Sequence, residues 1–198
     1  NDGEKETVIV NIHDLKLLGR HNHENVMAAV AISMNMGVPL EKIQKVIKEF
    51  KAVEHRIEFV TERFGVKYYN DSKGTNPDAA MQAIKAMPGP TLLIAGGYDK
   101  HIPYEPLGPV INDKVKLLIL LGDTAPKIEK AVKEASNYDA DEIEIVNVTN
   151  MEEAVAVARE RSTKGDIVSL SPASASFGLY KNFEERGNHF KSIVNALK

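Results

Sequence analysis

Short apolar stretches alternate with amphipathic ones from residue 57 to the end of this 198-residue chain. The apolar stretches predict strands at 57–62, 66–70, 91–97, 115–122, 143–148 and 166–174. Helical spacing of apolar residues predicts helices at 77–87, 104–111, 125–135, 151–161 and 183–197. Apolar strands separated by helices are typical of a mostly parallel sheet covered on both faces. We therefore predict a doubly wound, Rossmann-like α/β fold.

The earlier part of the chain has a helical pattern instead. Helices are predicted at 23–36 and 40–50 as a hairpin, with Asn22 as the N-cap of the first helix. Asn22 and Asn25 are three residues apart, so they should project from the same side of that helix. They could be one cap and one surface amide, or a pair of amides that faces the edge of a heterocycle.

Two short apolar runs, 7–10 and 15–18, predict weak strands before this hairpin. Two strands alone do not form a stable sheet, so we interpret them as the end of a sheet whose other strands lie upstream. The predicted organisation is therefore the remnant of one domain at 1–53 and a complete second domain at 54–198.

The composition narrows the class of protein. The chain is 43% apolar and 27% charged, as is usual for a globular protein, and its net charge of −3 argues against a nucleic-acid partner. It contains no cysteine, which excludes disulfides and thiolate zinc sites. No apolar run approaches the roughly 18–20 residues of a membrane span, and the polar N-terminus does not resemble a signal peptide. We expect a cytoplasmic protein with no membrane partner.

The stretch VKYYNDSKGTNPDAA, residues 66–80, is the densest in polar chemistry. It leads from a predicted strand through a polar loop into a helix, with Asn76 as N-cap, Pro77 at the first position and Asp78 in the first turn. Ligands of open α/β sheets bind where strands end, and helix N-termini favour anions. The loop therefore indicates a phosphate or carboxylate site, although such loops are often only turns.

Loops after other predicted strands should converge on the same edge of the sheet. Lys73 and Lys100 would bring two cations there, and Ser171, Ser174 and Ser176 would bring hydroxyls, a set that suits a small dicarboxylate or a phosphate. The chain has neither a GxxxxGK[ST] phosphate loop nor a GxGxxG sequence. No metal site is predicted, and His55 could be an exposed hinge residue or a functional one.

Five segments, in order, resemble the Mur ligase family: GRHNHENVMAA, EHRIEFV, NDSKGTNPDAA, LLIAGGYDK and SPASASFGLYKNFEERGNHF. The third is most similar to the branch that adds D-glutamate, because the related ligases lack its Ser-Lys-x-Thr segment. The resemblance covers nearly the whole chain. It implies that residues 1–53 end the central ATPase domain and that residues 54–198 form the C-terminal, Rossmann-like domain.

This resemblance implies an ATP-dependent, amide-forming ligase of peptidoglycan precursor synthesis. The reaction would add D-glutamate to UDP-N-acetylmuramoyl-L-alanine through an acyl phosphate, with ATP and Mg²⁺ as cofactors and the Mg²⁺ ligands in the missing part of the central domain. We expect a monomer whose partners are these small molecules, and we expect this chain to be inactive alone because it lacks the phosphate loop. The alternatives are a sister ligase for another amino acid and a non-catalytic ligand-binding domain.

The resemblance also implies roles for individual residues. The nucleotide-binding positions are Asn22, Asn25, Arg56 and Asp71, and Lys73 would be catalytic through the charge of the phosphate or acyl phosphate. The D-glutamate-binding positions are Thr75, Lys100, Ser176, Phe177 and Phe183.

Two positions depart from the family pattern. Ser174 stands where a cysteine is frequent, and Gly178 where an aspartate is frequent. The serine should be a mild change, whereas the loss of the acidic residue could loosen one end of the pocket.

Overall fold

The structure, a computed structural model, describes residues 6–198 and divides the chain into two compact units between Ala52 and Val53. Residues 1–5, the start of the predicted first domain, lie outside the described residues. Among the described residues, no helix is both long enough and apolar enough to cross a membrane.

The first unit contains two helices, α1 (Arg20–Asn35) and α2 (Leu40–Glu49). The prediction of Asn22 as an N-cap is wrong, because α1 begins earlier with Gly19 as its cap. Asn22 lies inside the first turn and is buried, and its side-chain nitrogen donates to the Leu18 carbonyl at 2.7 Å. An asparagine in the first turn of a helix can therefore donate to a preceding carbonyl instead of accepting from the free amides as an N-cap does.

The two predicted strands at 7–10 and 15–18 are also wrong. The structure has irregular chain there and one short 3-10 helix, Ile12–Asp14, whose turn is capped by the Asn11 side chain accepting from the His13 amide. Instead of a neighbouring strand, the side chain of Gln44 donates to the Ile9 carbonyl at 2.8 Å. A short apolar run alone does not make a strand without a neighbouring strand to pair with.

The second unit contains a six-stranded sheet whose order is β1-β2-β6-β3-β4-β5. Only the β1–β2 pair is antiparallel, and the other four pairs are parallel. The strands are β1 (Glu58–Arg63), β2 (Val66–Asn70), β3 (Thr91–Ala95), β4 (Val115–Leu120), β5 (Glu144–Asn147) and β6 (Ile167–Leu170). The helices are α3 (Pro77–Ala86), α4 (Leu107–Lys114), α5 (Ala125–Lys133), α6 (Met151–Arg161) and α7 (Phe183–Ala196).

Helices cover both faces of this sheet because the central strands are apolar on both sides. In β3, Leu92 packs into the layer that contains α6 and α7, whereas its neighbour Leu93 packs into the layer that contains α3, α4 and α5. This alternation follows from the two-residue period of a strand. The prediction of a doubly wound, mostly parallel α/β sheet is confirmed.

Four strands, β3 to β6, end earlier than their apolar patterns predicted, and two of these ends shape the candidate site. The third strand ends at Ala95 because Gly96 and Gly97 have positive φ angles of 107° and 149°. A Cβ atom at Gly97 would lie 2.3 Å from the Ala175 carbonyl oxygen, so this close approach requires glycine. The last strand ends at Leu170, and the residues after it form a loop. These shortened strands leave two loops at the carboxyl edge of the sheet.

Replacing Phe190 by alanine should lower the free energy of unfolding by about 3–5 kcal/mol, because this ring on α7 is fully buried in the core. The matched control is Phe59→Ala on the edge strand β1, where the ring is 52% exposed and makes one edge-on contact with Tyr69. The control substitution should lower the free energy of unfolding by at most about 1.5 kcal/mol. Chemical denaturation of both variants measures the difference, and equal losses would contradict the assignment of the core.

Candidate functional site

Loops that follow three parallel strands are joined at the carboxyl edge of the sheet. The Gly96 amide donates to the Pro172 carbonyl at 2.8 Å, and the Tyr98 amide donates to the Ala175 carbonyl at 2.9 Å. The Asp71 amide, at the end of β2, donates to Leu170 at 2.7 Å. The predicted convergence of these loops is therefore present in the structure.

A pocket of about 210 Å³ lies at this edge. It is lined by Thr75, Lys100, Ala175, Ser176, Phe177, Asn182, Phe183 and Glu184. All five residues to which the sequence assigned D-glutamate are among them, although they come from three loops and the start of α7. That they bind D-glutamate stays a prediction.

The chemistry of the pocket suits a small anion. Lys100 is exposed and, within residues 6–198, has no ion-pair or hydrogen-bond partner for its ammonium group. Ser176 is buried at the wall of the pocket. The first turn of α7 is adjacent, and its amide dipoles favour negative charge, although the acidic Glu184 of the same turn also lines the pocket. An unpaired cation, hydroxyl groups and a helix start together can hold a carboxylate.

The ring of Phe183 connects the pocket to Lys73. The ammonium group of Lys73 lies 5.8 Å from the centre of this ring, within the range of a cation–π contact. The imidazole of His55 also packs edge-on against the Phe183 ring, with 6.0 Å between the ring centres. Lys73 itself does not line the pocket, so it is beside the site predicted for D-glutamate.

His55 is not the exposed hinge residue that one interpretation expected. It is buried, its backbone has a φ of 65°, and its Nδ1 atom lies 2.9 Å from the side-chain nitrogen of Asn70. Its carbonyl also accepts from the Lys73 amide at 3.0 Å. His55 therefore supports the loop that carries Lys73.

The carboxyl group of Asp71 is buried and bonded within the protein. One oxygen accepts from the Ile57 amide at 3.1 Å and the other from the Ser171 hydroxyl at 2.7 Å. Burial raises the pKa of Asp71 to about 7, although Ser171, Ile57, Arg56 and Arg186 oppose this shift. Gly74 packs against this group, because a Cβ atom there would lie 2.5 Å from a carboxyl oxygen of Asp71.

The other residues assigned to the nucleotide have different surroundings. Arg56 is exposed in the second unit, one residue before the Ile57 amide that binds Asp71. Asn25 is exposed on α1, whereas Asn22 is buried on the same helix. The nucleotide contacts of these residues and of Asp71 stay predictions.

Arg186 is a central residue of the site that sequence reasoning missed. This arginine of α7 is only 2% exposed and donates to the Ser72 hydroxyl, the Ser72 carbonyl and the Ser174 carbonyl at 2.8–3.1 Å. Burial lowers its pKa to about 10, and Tyr180 and Asp71 oppose the shift. A signal was available in the sequence, since Arg186 is spaced four and eight residues before the buried Phe190 and Val194.

The two departures from the family pattern have distinct surroundings. Ser174 is buried, and its hydroxyl lies 2.8 Å from the hydroxyls of both Tyr104 and Thr124. A serine is therefore a full hydrogen-bonding member of this network. Gly178 has a φ of 88° and open space around it, so an aspartate there would be limited by the backbone and not by packing.

One cluster in the described part of the chain has the composition of a metal site: Glu54, His55 and Glu58. Its carboxylates are already paired, because the Lys191 ammonium lies 2.7 Å from Glu54 and 2.9 Å from Glu58. The other Glu58 oxygen accepts from the His55 amide at 3.0 Å. This cluster is therefore an internal ion-pair network and does not fit Mg²⁺.

The fold is that of a doubly wound α/β domain with a small pocket at the carboxyl edge of its sheet. Residues 55–174 match the family described as Mur ligase, glutamate ligase domain, and the chain belongs to this family. It is 51% identical over 195 residues to the UDP-N-acetylmuramoylalanine-D-glutamate ligase of Symbiobacterium thermophilum, and 50% identical over 197 residues to that of Lachnoclostridium phytofermentans. These alignments cover 98% and 100% of this chain but only 42% of each relative.

Solved structures with the same fold are more distant in sequence. The UDP-N-acetylmuramate-alanine ligase of Thermotoga maritima matches 93% of this chain and 40% of its own, with a TM-score of 0.65 and 14% identity. A bifunctional folylpolyglutamate synthase/dihydrofolate synthase of Yersinia pestis matches 97% of this chain and 42% of its own, with a TM-score of 0.62 and 15% identity. At these identities the similarity establishes the fold alone.

Replacing Arg186 by methionine should destabilise the second unit and loosen the pocket. Each buried acceptor left without its donor costs roughly 1–3 kcal/mol, and three acceptors would be affected. Arg161→Met, at the half-exposed end of α6, is the matched control. Thermal unfolding of both variants checks this expectation, and an Arg186→Met protein as stable as the control would contradict it.

The buried Asp71 should make stability depend on pH. Its pKa is about 7 when folded and about 3.9 in an unfolded chain, so between these values the folded state retains a proton that the unfolded state releases. The stabilisation is thus complete below about pH 4 and is lost as the pH rises towards 7, by up to about 1.4 kcal/mol per pH unit. Wild type should therefore lose stability relative to Asp71→Asn between pH 5 and pH 8 in denaturant titrations.

Exposed Asp123→Asn is the control for this experiment and should follow wild type at both pH values. A difference between wild type and Asp71→Asn that stays constant from pH 5 to pH 8 would show that Asp71 does not titrate in this range.

Proposed function

We propose that this chain is the C-terminal portion of an ATP-dependent ligase that adds D-glutamate to UDP-N-acetylmuramoyl-L-alanine, through an acyl phosphate, in peptidoglycan precursor synthesis. Residues 1–53 would end the central ATPase domain, and residues 54–198 would form the domain that brings D-glutamate. The observation that carries the proposal is the pocket in which Lys100, Ser176 and Thr75 meet. The names of the relatives at about 50% identity support D-glutamate over another amino acid.

Four of the pocket residues have roles that their chemistry supports. The unpaired ammonium of Lys100 neutralises one carboxylate of D-glutamate. The hydroxyls of Thr75 and Ser176 and the Phe177 amide donate to the remaining carboxylate oxygens. Among the residues that line the pocket, only Glu184 is acidic. The pocket acts by orienting the amino acid, and with it the amine, for bond formation.

The nucleotide end of the site is incomplete in this chain. In the second unit, Arg56 and Asp71 offer a cation and a carboxyl group for a nucleoside, while Lys73 offers charge to a phosphate. The 198 residues contain no phosphate loop, and the Glu54 cluster is occupied by Lys191. ATP would supply the energy of amide formation, with its phosphates and Mg²⁺ held by residues outside this chain.

D-Glutamate should bind to this chain weakly and through Lys100. Removal of a charge-assisted hydrogen bond costs roughly 1.5–3 kcal/mol, so Lys100→Ala should weaken binding by about ten- to hundredfold. Calorimetry or NMR titration measures this, with exposed Lys85→Ala of α3 as the charge-matched control. L-Glutamate and the diamino acid lysine test the choice of amino acid.

Equal affinities of wild type and Lys100→Ala for D-glutamate would overturn the assignment of the pocket. Tighter binding of a diamino acid than of D-glutamate would favour the sister ligase instead. The same purified chain should release no phosphate from ATP, with or without D-glutamate, because it lacks the phosphate loop. Steady D-glutamate-dependent phosphate release would contradict that expectation.

A further inference from the structure

We propose that the ion pair between Asp99 and Lys127 positions Lys100 for carboxylate binding, an inference that rests on the proposed function of the pocket. Neither residue lines the pocket, so both act through the loop that carries Lys100. They are positioning residues and do not touch the ligand.

The carboxylate of Asp99, the residue before Lys100, has two partners. One carboxylate oxygen contacts the Lys127 ammonium at 2.5 Å, and the other accepts from the His101 amide at 2.8 Å. The carboxylate is only 17% exposed although it lies in a surface loop. The hydrogen bond from Lys127 is the main cause of the lowered pKa of Asp99, so this group is a carboxylate at neutral pH. Asp99 thereby closes a turn with Lys100 at its centre.

The turn around Lys100 has an unfavourable backbone conformation that needs support. His101 has a φ of 58°, in the left-handed region that residues with a side chain rarely adopt. The Asp99 carboxylate stabilises this conformation by accepting the His101 amide. Without this bond, the chain after Lys100 could return to an ordinary conformation, and the direction of the Lys100 side chain would change.

Lys127 connects this turn to a rigid element of the fold. It lies in the first turn of α5, next to Thr124, whose hydroxyl accepts from the Gly97 amide at 3.0 Å and whose amide donates to the Gly97 carbonyl at 3.1 Å. The start of α5 therefore holds the loop at Gly97 and again at Asp99. Lys100 is the next residue, and its own ammonium has no partner among residues 6–198.

The ion pair also has an electrostatic effect on the pocket. An unpaired Asp99 carboxylate would be a neighbour of Lys100 in the sequence and could pair with it or repel a carboxylate ligand. Lys127 offsets that charge. The loss of Lys127 should therefore harm binding both by releasing the loop and by leaving the Asp99 carboxylate with only the exposed His101 ring, 3.4 Å away, as a basic neighbour.

The test is an NMR titration of the 198-residue chain with D-glutamate, using Lys127→Ala, Lys127→Arg and a control. The control is Lys133→Ala, which removes another lysine of α5 that is paired, here with Glu129 at 2.6 Å. Misplacement of Lys100 should weaken D-glutamate binding of Lys127→Ala by roughly three- to tenfold. Lys127→Arg should restore it, because arginine can also pair with Asp99, and Lys133→Ala should bind as wild type does.

A second readout separates positioning from general stability. The melting temperatures of Lys127→Ala and Lys133→Ala should be similar, because both remove one half-exposed ion pair. The inference is overturned if Lys127→Ala binds D-glutamate as well as Lys133→Ala does, or if arginine at 127 fails to restore binding. If wild type and Lys100→Ala show equal affinity, the proposed function fails and this inference fails with it. If Lys100→Ala loses affinity and Lys127→Ala does not, only this inference fails.

Discussion

A single buried guanidinium holds together the loops that form the candidate site. Arg186 of α7 donates to Ser72 after β2 and to Ser174 after β6, so three elements share one group. Buried loop carbonyls need donors, and the fixed fork of an arginine can satisfy several acceptors in different directions. The charge is costly to bury, and its hydrogen bonds and the nearby Asp71 offset that cost. The positions of the loops that form the pocket are therefore fixed relative to one another before any ligand binds.

The polar residues of this sheet edge separate into two groups. Asp71, Ser171 and Ser174 are buried, and their side chains bind other residues of the protein. Lys73 and Lys100 are exposed, and Lys100 is unpaired among the described residues. Satisfied polar networks make a site rigid, whereas an open cation can exchange water for a ligand. This separation gives the small pocket both a firm frame and charge available for an anion.

The errors made from sequence have a common physical cause. Asn22 has the chemistry of a cap, yet α1 starts at Arg20 and the amide binds the Leu18 carbonyl. The stretch 7–10 is an apolar run like that of a strand, but Gln44 from α2 donates to the Ile9 carbonyl. In both cases the backbone found a hydrogen-bond partner other than the one that local pattern favours. Helix and strand interiors were predicted more reliably because their apolar periodicity reflects burial over many residues.

By itself, the sequence determined the alternation of strands and helices, the doubly wound class and the Asn76 cap of α3, whose side chain accepts from the Ala79 amide. Those features depend on the spacing of apolar and capping residues along the chain, which can be read directly from the sequence. Only the tertiary structure decided which of several similar residues is hydrogen-bonded within the protein and which lines the pocket. Ser174 and Ser176 are two positions apart, yet one binds Tyr104 and Thr124 while the other lines the pocket. The reason is that these hydrogen bonds join residues 70 and 50 positions apart, which no local pattern records.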